Sequence, residues 1–212
     1  MALRPVRGEP GKFIDTVTKV EYDISEMRED DKYDTVFIPA GAIAPGAAFI
    51  FFRDLAGKFL IDTNLNLQAR ISHGEEMIID RVGMQTRAAT GNLLPTPSDV
   101  KKVLEDAYFR LEVNRLLYIE GPLIKMPSGY GVYGNTVEAG QGVVSNGVPS
   151  TAAASRLSQT QLLTSDHEFV GNMSFFTRAW TGLAVADFMP TLATGTLVTC
   201  WLHGLIKAAT SK

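Results

Sequence analysis

At 212 residues, with 45% apolar and 20% charged positions, the chain can bury one substantial core and has the composition of a globular protein. A net charge of −3 and a pI of about 5.6 exclude an overall basic field that would recruit nucleic acid or an anionic membrane. The lone Cys200 excludes an internal disulfide and suits a reducing compartment or an assembly that does without cross-links.

The opening residues carry no apolar leader core, and no run reaches the length of a membrane span, so the expectation is a protein made and folded in a cytosol. No charged or Pro-rich linker divides the chain. The predicted organisation is an N-terminal arm and charged loop over 1–34, then a single domain over 35–212. In the arm, Pro5, Gly8, Pro10 and Gly11 precede a polar run, Ser25 to Lys32, that reads as a solvated loop; Phe13 to Ile24 can pair as an edge strand. A sharper reading orders the arm on a neighbouring subunit.

Strand vocabulary begins at Asp34, where Thr35 to Ile38 is closed by Pro39. Ala40 to Gly46 is a small-residue connection into Ala47 to Phe52, a run apolar on both faces, as for a strand covered on two sides or one with an interface outside. Asp54 to Gly57 makes a turn, Lys58 to Ile61 starts the next strand, and Asp62-Thr63-Asn64-Leu65 has the side-chain oxygens of an Asx-type turn. After the Ser72 to Glu75 turn, Glu76 to Arg87 is a long strand. Its Ile78, Val82, Met84 and Thr86 share one register and Met77 and Ile79 the other, which predicts a bulge near Asp80-Arg81 or a doubly covered strand.

Residues 88–98 form a loop. A short helix follows, with Thr96 or Ser98 as N-cap, Asp99 at the positive end of the dipole, and Val100, Val103 and Leu104 at helical spacing. The clearest period-two signal comes next: Ala107, Phe109, Leu111 and Val113 alternate with Tyr108, Arg110, Glu112 and Asn114. A second apolar run, Leu116 to Ile119, is ended by Glu120-Gly121-Pro122.

Beyond Pro127 the composition changes, and 128–165 reads as a long Gly-rich excursion whose only charges are Glu138 and Arg156. Too apolar for water and too irregular for a strand, it is expected to order against another copy. Tyr130, Tyr133, Val143, Val144, Leu157, Leu162 and Leu163 are its candidate contact residues. The last third returns to strands. His167 to Trp180 puts Phe169, Gly171, Met173 and Phe175 on one face and Phe176 and Trp180 on the other; Thr196 to Ile206 puts Val198, Cys200, Leu202 and Ile206 opposite Leu197, Trp201, His203 and Leu205. Aromatics on both faces fit sheets with a core inside and neighbours outside, which adds Phe176, Trp180 and Trp201 to the candidate interface. Seven to nine strands imply an all-β antiparallel sandwich or barrel.

Catalytic chemistry finds little support. His73, His167 and His203 share no metal-binding spacing. Cys200 alternates with core residues, no nucleophile elbow is present, and the pairs Asp30-Asp31 and Glu75-Glu76 read as solvated turns. The glycines of 128–165 lack the lysine and the strand–turn–helix frame of a phosphate loop. No catalytic, metal or cofactor site is predicted.

Two segments carry a resemblance. Asp62-Thr63-Asn64-Leu65-Asn66-Leu67-Gln68-Ala69, followed by Gly74-Glu75-Glu76-Met77-Ile78-Ile79, is similar to a segment in capsid proteins of tailless icosahedral bacteriophages and related environmental viruses. Tyr118-Ile119-Glu120-Gly121-Pro122-Leu123 with Pro127-Ser128-Gly129 resembles a second segment of those proteins. The resemblance implies a jelly-roll coat subunit, a structural protein of the virion made in the host cytoplasm. Many relatives fuse two rolls in one chain, for which 212 residues is short, so a single roll would tile the shell with copies of itself or with a second coat or spike protein. No nucleic-acid site is evident, and an internal membrane beneath the coat leaves no mark in this sequence. The competing expectations are a trimeric phage spike or accessory virion protein, and an enzyme or sugar-binding module on a β-sandwich.

Overall fold

The computed structural model describes residues 3–9, 11–15, 21–23, 26–88, 97–126, 155–176 and 189–207. They form antiparallel sheets with one short α-helix among the described residues. A three-stranded sheet joins β1 (Leu3–Pro5), β2 (Lys12–Asp15) and β3 (Glu21–Asp23). The main body takes β4 (Arg28–Ile38), β6 (Ala48–Phe51), β7 (Glu76–Ala88), β8 (Ala107–Val113), β9 (Leu116–Pro122), β10 (Ser155–Thr164), β11 (Phe169–Phe175) and β13 (Thr196–Lys207). Between them lie the two-residue strands β5 (Gly41–Ala42) and β12 (Thr191–Leu192), which pair with each other, and α1 (Pro97–Asp106).

The eight strands of the main body make two four-stranded sheets, ordered β10-β7-β13-β4 and β6-β11-β8-β9. One contiguous core takes Met77, Ile79, Val82, Met84, Val198, Cys200 and Leu202 from the first and Phe51, Phe109, Leu111, Phe169, Met173 and Phe175 from the second. Alternation on β8 and β11 explains this directly: both have every odd-numbered residue buried, so each presents one apolar row. At the centre of the second sheet Gly171 leaves room for aromatic rings, since a Cβ there would lie 3.0 Å from Phe109 and 3.2 Å from Phe51.

The two registers of β7 resolve as a bulge. Pairing to β13 skips Asp80, passing from His203↔Arg81 to Gly204↔Ile79, so Met77 and Ile79 reach the same core as Val82 and Met84. Gly204 is required at this step, because a Cβ would meet the Ile78 carbonyl oxygen at 1.9 Å.

Several expectations need correction. The polar run before Asp34 is not a solvated loop: β4 begins at Arg28 and pairs with β13 from Arg28↔Ile206 onward, so the 34/35 boundary cuts a strand. Its charges are held by partners: Glu29 by Arg81 at 2.9 Å, Asp31 by His203 at 2.7 Å, and Lys32 by Glu75 at 3.0 Å. Asp30-Asp31 is therefore strand, not turn. Lys58 to Ile61 forms turns rather than a strand. The 128–165 excursion also ends early, because β10 from Ser155 pairs with β7. Strand β9 runs through Gly121 to Pro122 instead of stopping at Glu120; a proline is tolerated because β9 is an edge. Ser98 lies inside α1 and Thr96 lies outside the described residues, while Pro97 takes a position where its missing N–H is harmless.

Candidate subunit-contact surface

The first sheet has β4 as one edge, and an open edge invites pairing with other chains. Here the segment 52–75 closes part of it. The Asn64 side chain acts as a short strand partner: its Oδ1 accepts from the Tyr33 N–H at 3.0 Å and its Nδ2 donates to the Asp31 carbonyl at 2.7 Å. Thr63 Oγ1 donates to the Tyr33 carbonyl at 3.0 Å. Leu65 is buried beside them.

Beneath that segment, Asp34 of β4 points into the core opposite Cys200 and is fully buried. Its carboxylate accepts from the Phe52 N–H at 2.6 Å and from Lys58 Nζ at 2.8 Å. Burial pushes Asp34 above its ordinary range, against the opposing pull of Lys58 and the Phe52 amide. Burial, then the nearby Asp34 charge, holds the Cys200 thiol well above its usual range, so it stays a core thiol. Phe52, at φ +70°, turns its ring back into the core, which accounts for an apolar run with no alternation.

This scaffold carries an apolar tip. Phe59, Leu60 and Ile61 are 75%, 81% and 69% exposed. The tip is fixed from both sides: Asp62 and Thr63 donate backbone N–H groups to the Phe59 carbonyl at 2.8 and 3.0 Å, and the Tyr33 hydroxyl donates to the Leu60 carbonyl. Asp62 is bound in turn by Arg87 at 2.6 Å. Alongside runs a depression of about 290 Å³ between β4 and β6, both sheet edges, with exposed Phe37 and Ile50 and the charged Asp54, Lys58 and Asp62 in its lining.

The predicted contact residues fall elsewhere. Leu162 and Leu163 are 2% and 0% exposed on β10, so the fold itself covers them and they offer nothing to a partner. Phe176 is exposed, with its ring 6.0 Å from Tyr108. Trp201 is half-buried, 4.6 Å from the Tyr33 ring and 6.3 Å from that of His203. Leu157 lies on the β10 backbone; Tyr130, Tyr133, Val143, Val144 and Trp180 lie outside the described residues. The Phe59–Ile61 tip was hidden by its strand-like composition. Its signal is length: three apolar residues between Gly57-Lys58 and an Asx turn are too few to alternate.

The histidines are dispersed. His73 is exposed in a turn, His167 Nδ1 accepts from the Thr164 N–H at 3.1 Å, and His203 pairs with Asp31. No group of three or more His, Cys, Asp or Glu side chains is placed to hold a metal among the described residues. Asp99 does more than face the helix dipole, accepting from the Ala193 and Thr194 N–H groups at 2.9 Å and fixing the approach to β13. Comparison of the chain with family models, curated proteins and solved structures finds no match.

Proposed function

We propose that this chain is a single jelly-roll coat subunit, resembling those of tailless icosahedral bacteriophages, that assembles with its own copies into a shell. What carries the reading is strand order. Numbered one to eight along the chain, β4, β6, β7, β8, β9, β10, β11 and β13 fall as 1-8-3-6 in one sheet and 2-7-4-5 in the other. A jelly roll is generated by pairing a long antiparallel hairpin 1 with 8, 2 with 7, 3 with 6 and 4 with 5, then rolling alternate pairs into opposite sheets. All four pairs are neighbours here.

The coat assignment draws further support from the two segments that carry the resemblance. Asp62 to Leu65 closes part of the β4 edge and Glu120-Gly121-Pro122 lies on the β9 edge, so both segments sit at sheet margins. Much of the titratable chemistry near these edges is engaged in structural pairs, which favours a scaffold over an enzyme.

Negative-stain microscopy of the purified protein tests the proposal. Shells or regular capsomers are the expected result. Discrete trimers that never close would transfer the chain to the spike class, and stoichiometric zinc, iron or manganese with a hydrolytic activity would transfer it to the enzymes.

A further inference from the structure

An apolar projection standing directly beside an apolar depression is a self-complementary surface, the arrangement a twofold contact uses twice. We infer that the Phe59-Leu60-Ile61 tip of one subunit seats in the Phe37/Ile50 depression of a second copy, whose tip seats reciprocally in the first. The inference rests on the coat reading for the identity of the partner and adds to it a named contact and its symmetry.

Area comes first. Fractional exposures of 75%, 81%, 69%, 53% and 38% for Phe59, Leu60, Ile61, Phe37 and Ile50 amount, at about 200 Å² per large apolar residue, to about 600 Å² of apolar side chain per copy. That reaches the upper end of the largest patch an ordinary monomer exposes, roughly 300–600 Å². Two copies together would bury about 1,200 Å² before any polar rim is counted, which clears the roughly 1,000 Å² expected of a specific interface.

Electrostatics point the same way. Docking over a bare charge would leave it buried and uncompensated. Of the three charged residues that line the depression, two already have partners inside the subunit, Lys58 with Asp34 at 2.8 Å and Asp62 with Arg87 at 2.6 Å, while the third, Asp54, is exposed and accepts from the Ala56 N–H at 3.1 Å. Covering Lys58 and Asp62 leaves no such charge, provided that Asp54 stays at the wet margin of the contact, and the contacts that hold the tip at Phe59 and Leu60 leave little of it to order on docking.

Light scattering after size exclusion, with the full chain across concentration, reads the contact. The wild type should dimerise, and Leu60→Asp should shift its midpoint at least tenfold towards monomer with an unchanged circular dichroism spectrum. Because Leu60 is 81% exposed, folding should survive the change. As a second measurement, Leu60→Cys and Ile50→Cys chains are mixed and oxidised. The twofold predicts a mixed disulfide that greatly exceeds the one formed with a Leu116→Cys control on the β8–β9 hairpin, and Cys200, fully buried, should stay silent. Dimers broken by Leu60→Asp in a protein that forms no shells would sustain this contact and remove the coat reading. Shells and dimers that tolerate Leu60→Asp would overturn the contact and leave the coat reading standing. A wild type monomeric at every concentration would overturn it too, and would assign the tip to a different protein.

Discussion

At the residue scale, two side chains are set by what the core cannot accommodate. Asp34 is fully buried with Lys58 as its counter-charge, and its carboxyl is held above its ordinary 3.8. A folded-state pKa above the unfolded one means that the folded state holds the proton better. Ionising Asp34 therefore subtracts stability, in full above the folded pKa and not at all below 3.8. Lys58→Met removes the opposing pull and should cost about 3 kcal/mol near neutral pH, a deficit that shrinks as the pH falls and Asp34 takes a proton. Urea unfolding of both proteins between about pH 4 and pH 7 measures it; a deficit that ignores pH would mean that Lys58 acts by packing alone. Gly204 makes the simpler case. A methyl group there meets the Ile78 carbonyl, which is backbone and cannot swing aside, so Gly204→Ala should destabilise by about 3 kcal/mol through overpacking. An effect under about 1 kcal/mol by the same measurement would mean that the β7 bulge relaxes freely.

At the element scale, strands were legible where one face meets the core and the other does not. The odd-numbered residues of β8 and β11 are buried throughout, and the Met77/Ile79 slip on β7 marked a real bulge. What was illegible has a common cause, since period two assumes that inward means apolar. Strand β4 turns Lys32 and Asp34 inward against Glu75 and Lys58, so its charges masked a strand. In β10, Ser, Gln and Thr after a glycine-rich stretch read as a continuing loop, and Leu162 and Leu163 as contacts. The candidate tip was missed for the converse reason, because apolar residues imitated a strand where turns form. Edge protection offers the test at this scale. Asn64→Ala removes both side-chain bonds to the β4 edge, so a loss of about 2 kcal/mol is expected. Amide exchange should speed most at Tyr33, whose N–H is the one released; uniform acceleration over β4 would argue that Asn64 merely positions the loop.

At the scale of the whole molecule, the sheets are closed by strands far apart in the chain. Strand β13 lies between β7 and β4, pairs with both along its length, and brings Val198, Cys200, Leu202 and Ile206 to the core. Without it the first sheet splits into an isolated β4 and a β10–β7 pair, and a two-stranded pair is at best marginal in water. The N-terminal three-stranded sheet is placed differently. Its Phe13 lines a depression with Ile78 and Leu205, but none of its side chains among the described residues belongs to the sandwich core. Two truncations should therefore behave in opposite ways. A chain ending at residue 195 should fail to fold, with no cooperative unfolding transition, whereas a chain beginning at Glu26 should keep one at a loss of about 1–2 kcal/mol for the uncovered apolar surface. Urea titration of both by circular dichroism decides the matter. A cooperative transition in the first would show that the second sheet is stable alone, and its absence in the second would make the N-terminal strands part of the fold's nucleus. Pairing over such separations also predicts slow refolding, on the order of milliseconds to seconds, because loop-closure entropy must be met before β4 and β13 can pair.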